Sequence, residues 1–127
     1  MTQEEKQLLL VDLCARLPYK VKIEITWWVA GEGAYMNTTL EPDHIDQLLN
    51  DDDTEIKPYL RPLSSMTEEE TVEYCDLQDK FLLSSQYPVT DGHALFDWLN
   101  EKMFDYRGLI EKGLATAVTE DNNPYKD

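Results

Sequence analysis

An alternation of apolar and polar residues in YKVKIEITWWV, residues 19–29, constrains the fold more than any other feature of the sequence. Side chains of a β-strand point alternately to opposite faces, so this segment predicts a strand with one buried face. The apolar row comprises Tyr19, Val21, Ile23, Ile25, Trp27 and Val29. AGEGA (30–34) then supplies glycines for a turn, and YMNTTLE (35–41) can return as the second arm of a hairpin. A lone hairpin is marginal in water, so helices or a third strand must cover it.

Three main helices are predicted around this hairpin. The first lies in residues 1–18, where Thr2 and Glu5 form a capping box and Pro18 ends the helix. The second begins at another capping box, formed by Thr67 and Glu70. The third is HALFDWLNEKMF (93–104), capped by Thr90 or Asp91. The apolar face of the first helix consists of Leu9, Leu10, Leu13, Cys14 and Leu17. That of the second consists of Tyr74, Cys75, Leu77, Phe81 and Leu82. That of the third consists of Leu95, Trp98, Leu99 and Met103.

The connecting segments are less regular. EPDHIDQLLNDDD (41–53) is either a short helix capped by Asp43, which we favour, or an irregular strand. EIKPYLRPL (55–63) is extended or an edge strand, because Pro58 and Pro62 lack backbone donors and push the residues before them into extended conformations. DYRGLIEKGLA (105–115) predicts one more short helix, capped by Asp105 and ended by Gly113.

These elements predict an α+β fold in which three main helices pack on a small antiparallel hairpin or sheet, with a third extended strand as an option. The 127 residues suit a single domain, which we place at residues 1–115. Residues 116–127 have no periodicity and are expected to form a frayed acidic tail.

Location and cysteine usage follow from the same composition. The apolar runs are far shorter than the roughly 20 residues of a membrane span, and MTQEEKQ has no basic region typical of a signal peptide. We therefore expect a soluble cytoplasmic protein without membrane contact. Cys14 and Cys75 both fall on predicted apolar helix faces, so we expect two buried, inert thiols.

The charge is the strongest global signal. Eleven basic residues against 26 acidic ones give a net charge of −15. Residues 41–79 hold 13 of the acidic residues, opposed by Lys57 and Arg61. Such a surface repels phosphates, which argues against direct nucleic-acid binding, and attracts basic protein surfaces. Solubility alone would also explain the acidity.

Three stretches carry a resemblance. MTQEEKQLLLVDLCARLPYKVK (1–22), IKPYLRPLSSMTEEE (56–70) and DWLNEKMFDYRGLIEKGLA (97–115) resemble segments of a family of small proteins encoded by gut anaerobic bacteria and their phages or mobile elements. They cover a little under half of the chain, and residues 26–54 depart from the family. The resemblance implies a phage or mobile-element setting, with neither an activity nor a site.

No sequence constellation predicts catalysis, a cofactor or a metal. His93 and Asp97 share a helix face, but zinc needs three or four ligands, and nothing else in sequence converges on this pair or on His44. DDDTEI (51–56) lacks the glycine and the final glutamate of a calcium loop. The serines lack a nucleophile-elbow context, and no phosphate-binding glycine loop is present.

Two groups of residues are candidates for partner binding. Trp28 falls on the polar face of its strand, so it is either covered there, which we favour, or exposed as an interface residue together with Tyr35. The acidic candidates are Asp51, Asp52, Asp53, Glu68, Glu69 and Glu70.

The leading hypothesis is a non-catalytic, acidic protein that binds another protein, with a basic one as the favoured partner. A sharper form is nucleic-acid mimicry against a basic host protein. The alternatives are a small enzyme or small-molecule binder whose site assembles only in three dimensions, and a homodimer that pairs through its hairpin.

Overall fold

The computed structural model describes residues 2–29, 32–50, 54–84 and 92–125, with the side chains of 28, 29, 80–84, 92 and 93 left aside. It confirms the α+β class: helices accompany one four-stranded mixed sheet in the order β2-β1-β3-β4. The strands are β1 (Lys22–Val29), β2 (Glu32–Thr39), β3 (Thr54–Leu60) and β4 (Thr116–Ala117). The helices are α1 (Gln3–Arg16), α2 (Pro42–Asn50), α3 (Glu68–Ser84) and α4 (Gly92–Glu101).

The predicted hairpin forms one side of the sheet, with β1 as an internal strand and β2 as an edge strand. β1 and β2 pair antiparallel in an unbroken register from Lys22 opposite Thr39 to Val29 opposite Glu32. Val21, Ile23 and Ile25 are fully buried, as the alternation predicts. The intervening residues on β1 are only partly buried, so the two faces of the strand meet different environments.

β3 is an internal strand, although its proline predicted at most an edge strand. It pairs antiparallel with β1 and, at Tyr59 and Leu60, parallel with β4. Leu40 N–H donates to the Val21 carbonyl, so by alternation the even residues of β1 direct their backbone groups toward β3. Pro58 stands opposite Ile23, an odd residue, so its nitrogen points away from β1. On its other side, β4 pairs only with Tyr59 and Leu60, which follow Pro58. The N–H group that proline lacks is therefore not needed for a hydrogen bond to either neighbouring strand.

The helix starts follow the sequence closely. The Thr2–Glu5 box is formed, with Glu5 N–H donating to Thr2 Oγ1 (3.1 Å) and Thr2 N–H to Glu5 Oε1 (2.9 Å). Residues 42–50 are helical, which decides between the two alternatives for that segment. Asp43 lies in the first turn of this helix instead of capping it.

Two apolar clusters form the core. The larger joins the inner face of the sheet to α1, α2 and the C-terminal segment, and includes Leu9, Leu13, Ile23, Ile56 and Leu60. The smaller lies between α3 and α4. It contains Leu95, Leu99 and Phe104, with Met66, Tyr74, Leu77, Trp98 and Tyr106 packed against it. Through this cluster, Tyr74 and Leu77 of α3 pack against α4 and the residues that follow it.

A buried ionic network joins α1 to the segment after α4. Asp12 and Arg16 are both fully buried, and Arg16 Nε donates to Asp12 Oδ2 over 3.0 Å. The second oxygen of Asp12 accepts from Arg107 at 2.7 Å, and Arg16 also donates to the carbonyl of Phe104 at 2.6 Å. Both guanidinium groups face the ring of Tyr106. Because a buried charge must be paired and hydrogen-bonded, these contacts fix the path of residues 104–107.

The predicted helix at residues 105–115 does not form. α4 itself ends at Glu101, earlier than predicted, because Met103 takes a positive φ of 62° and Phe104 N–H bonds back to Leu99. Gly108 and Gly113 also have positive φ, a conformation that interrupts a right-handed helix. Asp105 still acts as a cap in this turn, since its two carboxylate oxygens accept from the N–H groups of Leu109 and Ile110.

The C-terminal segment is ordered through Tyr125, where the sequence predicts fraying from residue 116. Thr116–Ala117 joins the sheet as β4, and Val118 N–H donates to the Leu60 carbonyl. The Tyr125 hydroxyl accepts from Lys22 N–H (2.9 Å) and donates to the Tyr59 carbonyl (2.8 Å). Lys22 and Tyr59 are the next pair along the β1–β3 register, so this hydroxyl replaces a ladder hydrogen bond. Burial raises the pKa of Tyr125, which keeps the hydroxyl protonated for this role.

We expect Tyr125→Phe to lower the free energy of unfolding by about 1–3 kcal/mol, because it leaves the Lys22 N–H and the Tyr59 carbonyl without this partner. Urea denaturation followed by circular dichroism measures this loss. Tyr35→Phe is the matched control, since Tyr35 is 75% exposed. Equal stability of the two variants would show that the hydroxyl does not support the sheet.

Candidate interaction surface

The first turn of α3 is locked to the body of the molecule. Glu70 N–H donates to Thr67 Oγ1 (3.2 Å) and Thr67 N–H to Glu70 Oε1 (3.0 Å), which confirms the second capping box. Arg61, just after β3, donates to both carboxylate oxygens of Glu70 at 2.7 and 2.8 Å. The same guanidinium lies 4.2 Å from the centre of the Phe104 ring. These contacts fix where α3 begins and in which direction it leaves the sheet.

Glu70 is therefore a structural residue as well as a candidate contact. The hydrogen bonds from Arg61 lower the pKa of Glu70 from 4.5 to about 2, despite the opposing effect of burial. Its side chain is 15% exposed. Of the acidic triplet at 68–70, the first two residues are the ones that face solvent.

Beyond its first turn, α3 is largely exposed over residues 71–79, where its burial is described. Tyr74 and Leu77 turn toward α4, and Glu73 accepts a hydrogen bond from the indole of Trp98 over 2.8 Å. The opposite side forms a continuous solvent face, which we call the α3 face; it consists of Glu68, Glu69, Val72, Cys75, Asp76 and Asp79. Residues 68–79 contain six acidic residues and no basic one. The α3 face is thus strongly negative, with Val72, 70% exposed, near its centre.

The other predicted partner-binding residues lie elsewhere. Tyr35 is exposed on β2. Trp28 pairs with Gly33 in the β1–β2 ladder, and its side chain lies outside the described residues. Asp51, Asp52 and Asp53 also lie outside them. The described structure therefore joins Glu68 and Glu69 to acidic residues farther along α3, a grouping that the sequence interpretation did not make.

Both cysteines are exposed, so the prediction of buried thiols is wrong. The buried face of α1 is centred on Leu9, Asp12, Leu13 and Arg16, which turns Cys14 outward. On α3, Cys75 lies on the side away from Tyr74 and Leu77.

Two concavities on the described surface lack the groups that a reactive centre needs. An open groove of about 630 Å³ runs along α1 and contains neither His nor carboxylate; its lining is Gln3, Lys6, Gln7, Leu10, Val11, Cys14 and Leu49. A second, of about 350 Å³, includes Asp105 and Glu111, but both oxygens of Asp105 already accept backbone hydrogen bonds.

The histidines and metal-ligand residues show no assembled centre in the described part of the chain. His44 Nδ1 accepts the Glu41 N–H at 2.9 Å at the start of α2, and the side chain of His93 lies outside the described residues. Within residues 2–29, 32–50, 54–84 and 92–125, no three His, Cys, Asp or Glu side chains gather as a metal site requires. None of the described helices combines the length and apolar character needed to cross a bilayer.

Comparison with known proteins returns no matching family model, curated protein or solved structure.

The Arg61–Glu70 pair generates a pH-dependent prediction. A pKa that is lower in the folded state than in the unfolded state stabilises the fold above the unfolded value. This contribution is present above pH 4.5 and is lost as the pH falls toward 2. We expect Glu70→Gln to lower the free energy of unfolding by about 1–2 kcal/mol at pH 6, while Gln retains the capping-box geometry. The difference from wild type should shrink as the pH falls from 4.5 to 2.5.

Urea denaturation at several pH values measures this difference. Glu69→Gln is the matched control, because Glu69 is the exposed neighbour of Glu70 in the same helical turn. A wild-type advantage over Glu70→Gln that stays constant across this pH range would contradict the assignment.

Proposed function

We propose that this chain is a non-catalytic interaction protein that binds a basic surface of a partner protein through the α3 face. The observation that carries the proposal is the exposure of Glu68, Glu69 and Asp79 on a helix whose first twelve residues contain no basic side chain. Because α3 packs on α4 through its opposite side, the α3 face can meet a partner without unfolding any part of the core.

The arrangement suits electrostatic recognition. A cluster of one charge steers an oppositely charged partner and raises the association rate, and this effect weakens with salt. Val72 provides an exposed apolar contact among the carboxylates. An apolar centre with a charged rim is the usual composition of a protein interface.

Nucleic-acid mimicry is the sharper form of the proposal. Residues 68–79 of an α-helix span about 18 Å, so the four carboxylates of the α3 face are spaced at about one per 4–5 Å along the axis. One strand of DNA carries a phosphate about every 3.4 Å. This similar linear charge density favours a partner that normally binds nucleic acid. In line with the sequence resemblance, the proposal places the protein in the cytoplasm of a bacterium that carries a phage or mobile element.

A small-molecule function is the competing proposal, and the groove along α1 is the feature that favours it. Its volume of about 630 Å³ is of the size that holds small ligands. Its wide opening and its lack of converging carboxylate or imidazole groups favour the protein-binding proposal instead.

Removing three charges from the α3 face should weaken partner binding. We expect a variant with Glu68→Gln, Glu69→Gln and Asp79→Asn to bind a basic bacterial partner about tenfold more weakly, because each charge pair contributes up to about 1 kcal/mol. The measurement is affinity capture from bacterial lysate at 50 and 500 mM salt, with partners identified by mass spectrometry and their affinities then measured by calorimetry.

The matched control neutralises Asp43, Glu111 and Glu120, three exposed residues outside α3. It has the same net charge as the test variant, so a loss confined to the test variant supports the α3 face. Equal loss in both variants would mean that net charge alone matters, and recovery of no basic partner would remove the proposal. A basic partner that does not bind nucleic acid would leave the broad proposal standing and exclude mimicry.

A further inference from the structure

The open edge of β2 is the second unusual surface of this protein. β2 is the terminal strand of the sheet, and residues 32–37 are all exposed. In the part of the chain that the structure describes, β2 pairs with β1 along one edge, and no strand pairs with the other edge of β2.

The register identifies which backbone groups point outward. Leu40 N–H donates to the Val21 carbonyl, so Leu40 and Val21 form a hydrogen-bonded pair. Such pairs alternate along an antiparallel ladder, which directs the even residues of β2 toward β1 and the odd residues toward the open edge. The outward N–H and C=O groups therefore belong to Gly33, Tyr35, Asn37 and Thr39.

This edge lacks the features that prevent an edge strand from pairing with another chain. It contains no Lys, no Pro and no bulge, and its one charged residue is Glu32 at the end of the strand. Residues 33–40 form an uncharged stretch in a chain that is 29% charged. A long, regular and uncharged edge is a template for another strand.

The absence of charge along the β2 edge makes it the place where a second copy can approach with least repulsion. Each copy carries a net charge of −15, so most possible contacts between copies bring carboxylates together. The β2 edge avoids this repulsion. In an antiparallel pair, the two Glu32 side chains stand at opposite ends, about 20 Å or more apart and beyond the screening length of about 8 Å at physiological salt.

We propose that two copies of this chain pair β2 with β2 antiparallel across a two-fold axis at Met36, forming a continuous eight-stranded sheet. With Met36 opposite Met36 of the second copy, Gly33 faces Thr39 and Tyr35 faces Asn37. All four outward residues of each strand then form hydrogen-bonded pairs. A shift of the two-fold axis to Tyr35 or Asn37 leaves one or more of these residues without a paired neighbour in β2.

The first test is the mass in solution. Size-exclusion chromatography with light scattering at 5–500 μM should show a wild-type dimer of twice 14.8 kDa. Tyr35→Pro removes one outward N–H and leaves the bonds to β1 intact, so it should raise the dimer dissociation constant at least tenfold. Tyr35→Ala keeps the N–H and should remain dimeric. Circular dichroism checks that both variants are folded.

The second test reads the register directly. In a Cys14→Ser, Cys75→Ser background, Met36→Cys should form a disulfide-linked dimer under mild oxidation, because the two cysteines face each other in a non-hydrogen-bonded pair. Ala34→Cys, on the same face but four residues away from its copy, should cross-link much more slowly.

A monomeric wild type would overturn the proposal and leave the edge open to a foreign strand. It would also be overturned by equal cross-linking of the two cysteine variants, or by a folded Tyr35→Pro variant that stays dimeric. Binding of a basic partner by the α3 face is a separate measurement, so either proposal can fail without the other.

Discussion

A carboxylate buried in the first helix meets two arginines, one from the same helix and one from the other end of the chain. Asp12 binds Arg16 through one oxygen and Arg107 through the other, and Arg16 extends the network to the carbonyl of Phe104. Removing one member of such a network leaves a buried charge uncompensated, which typically costs about 3–5 kcal/mol. The segment after α4 consequently has one stable path, and that path carries Phe104 into the α3–α4 core and delivers residues 116–117 to the sheet.

Ion pairs of this kind hold all three arginines in buried or partly buried positions and leave most of the described carboxylates on the surface. Each of the three arginines, at positions 16, 61 and 107, is paired with a carboxylate and lies against an aromatic ring of residues 104–106. Arg61 uses Glu70 to orient α3, so the structural ion pairs also position the exposed acidic helix. The basic residues that remain for the surface are lysines, none of which occurs between residues 68 and 79. The surface of the protein is therefore negative, and Arg61 sets the direction of the acidic helix α3.

Sequence patterns predicted the elements that depend on residues close together in the chain. The predicted strand appears at Lys22–Val29, and both capping boxes, at Thr2 and Thr67, are formed. The strand starts later than its period predicts, because Tyr19 ends a 3-10 turn and Lys20 has a positive φ of 59°. The buried charges were missed because only apolar residues were counted when the buried face of α1 was predicted, although Leu9, Asp12, Leu13 and Arg16 follow the helical i, i+3, i+4, i+7 spacing. Residues 105–115 have helical composition, but the positive φ of Gly108 and the contacts of Arg107 override it. The role of Tyr125 depends on Lys22 and Tyr59, which are 103 and 66 positions away and which no local pattern links to it.

At the candidate surface, Glu68 and Glu69 were predicted from the sequence. That Arg61 binds Glu70 and removes it from the exposed surface could be seen only in the tertiary structure.

Native-state hydrogen exchange in an Asp12→Asn variant shows whether this network holds the C-terminal segment in place. The amides of Leu109, Ile110 and Val118 bond to Asp105 and Leu60, whereas the amide of Leu40 bonds to Val21 beside the hairpin. If the network fixes the segment, the first three amides lose at least about tenfold more protection than Leu40, because the segment opens without global unfolding. An equal loss at all four amides, or no loss at any of them, would contradict the account.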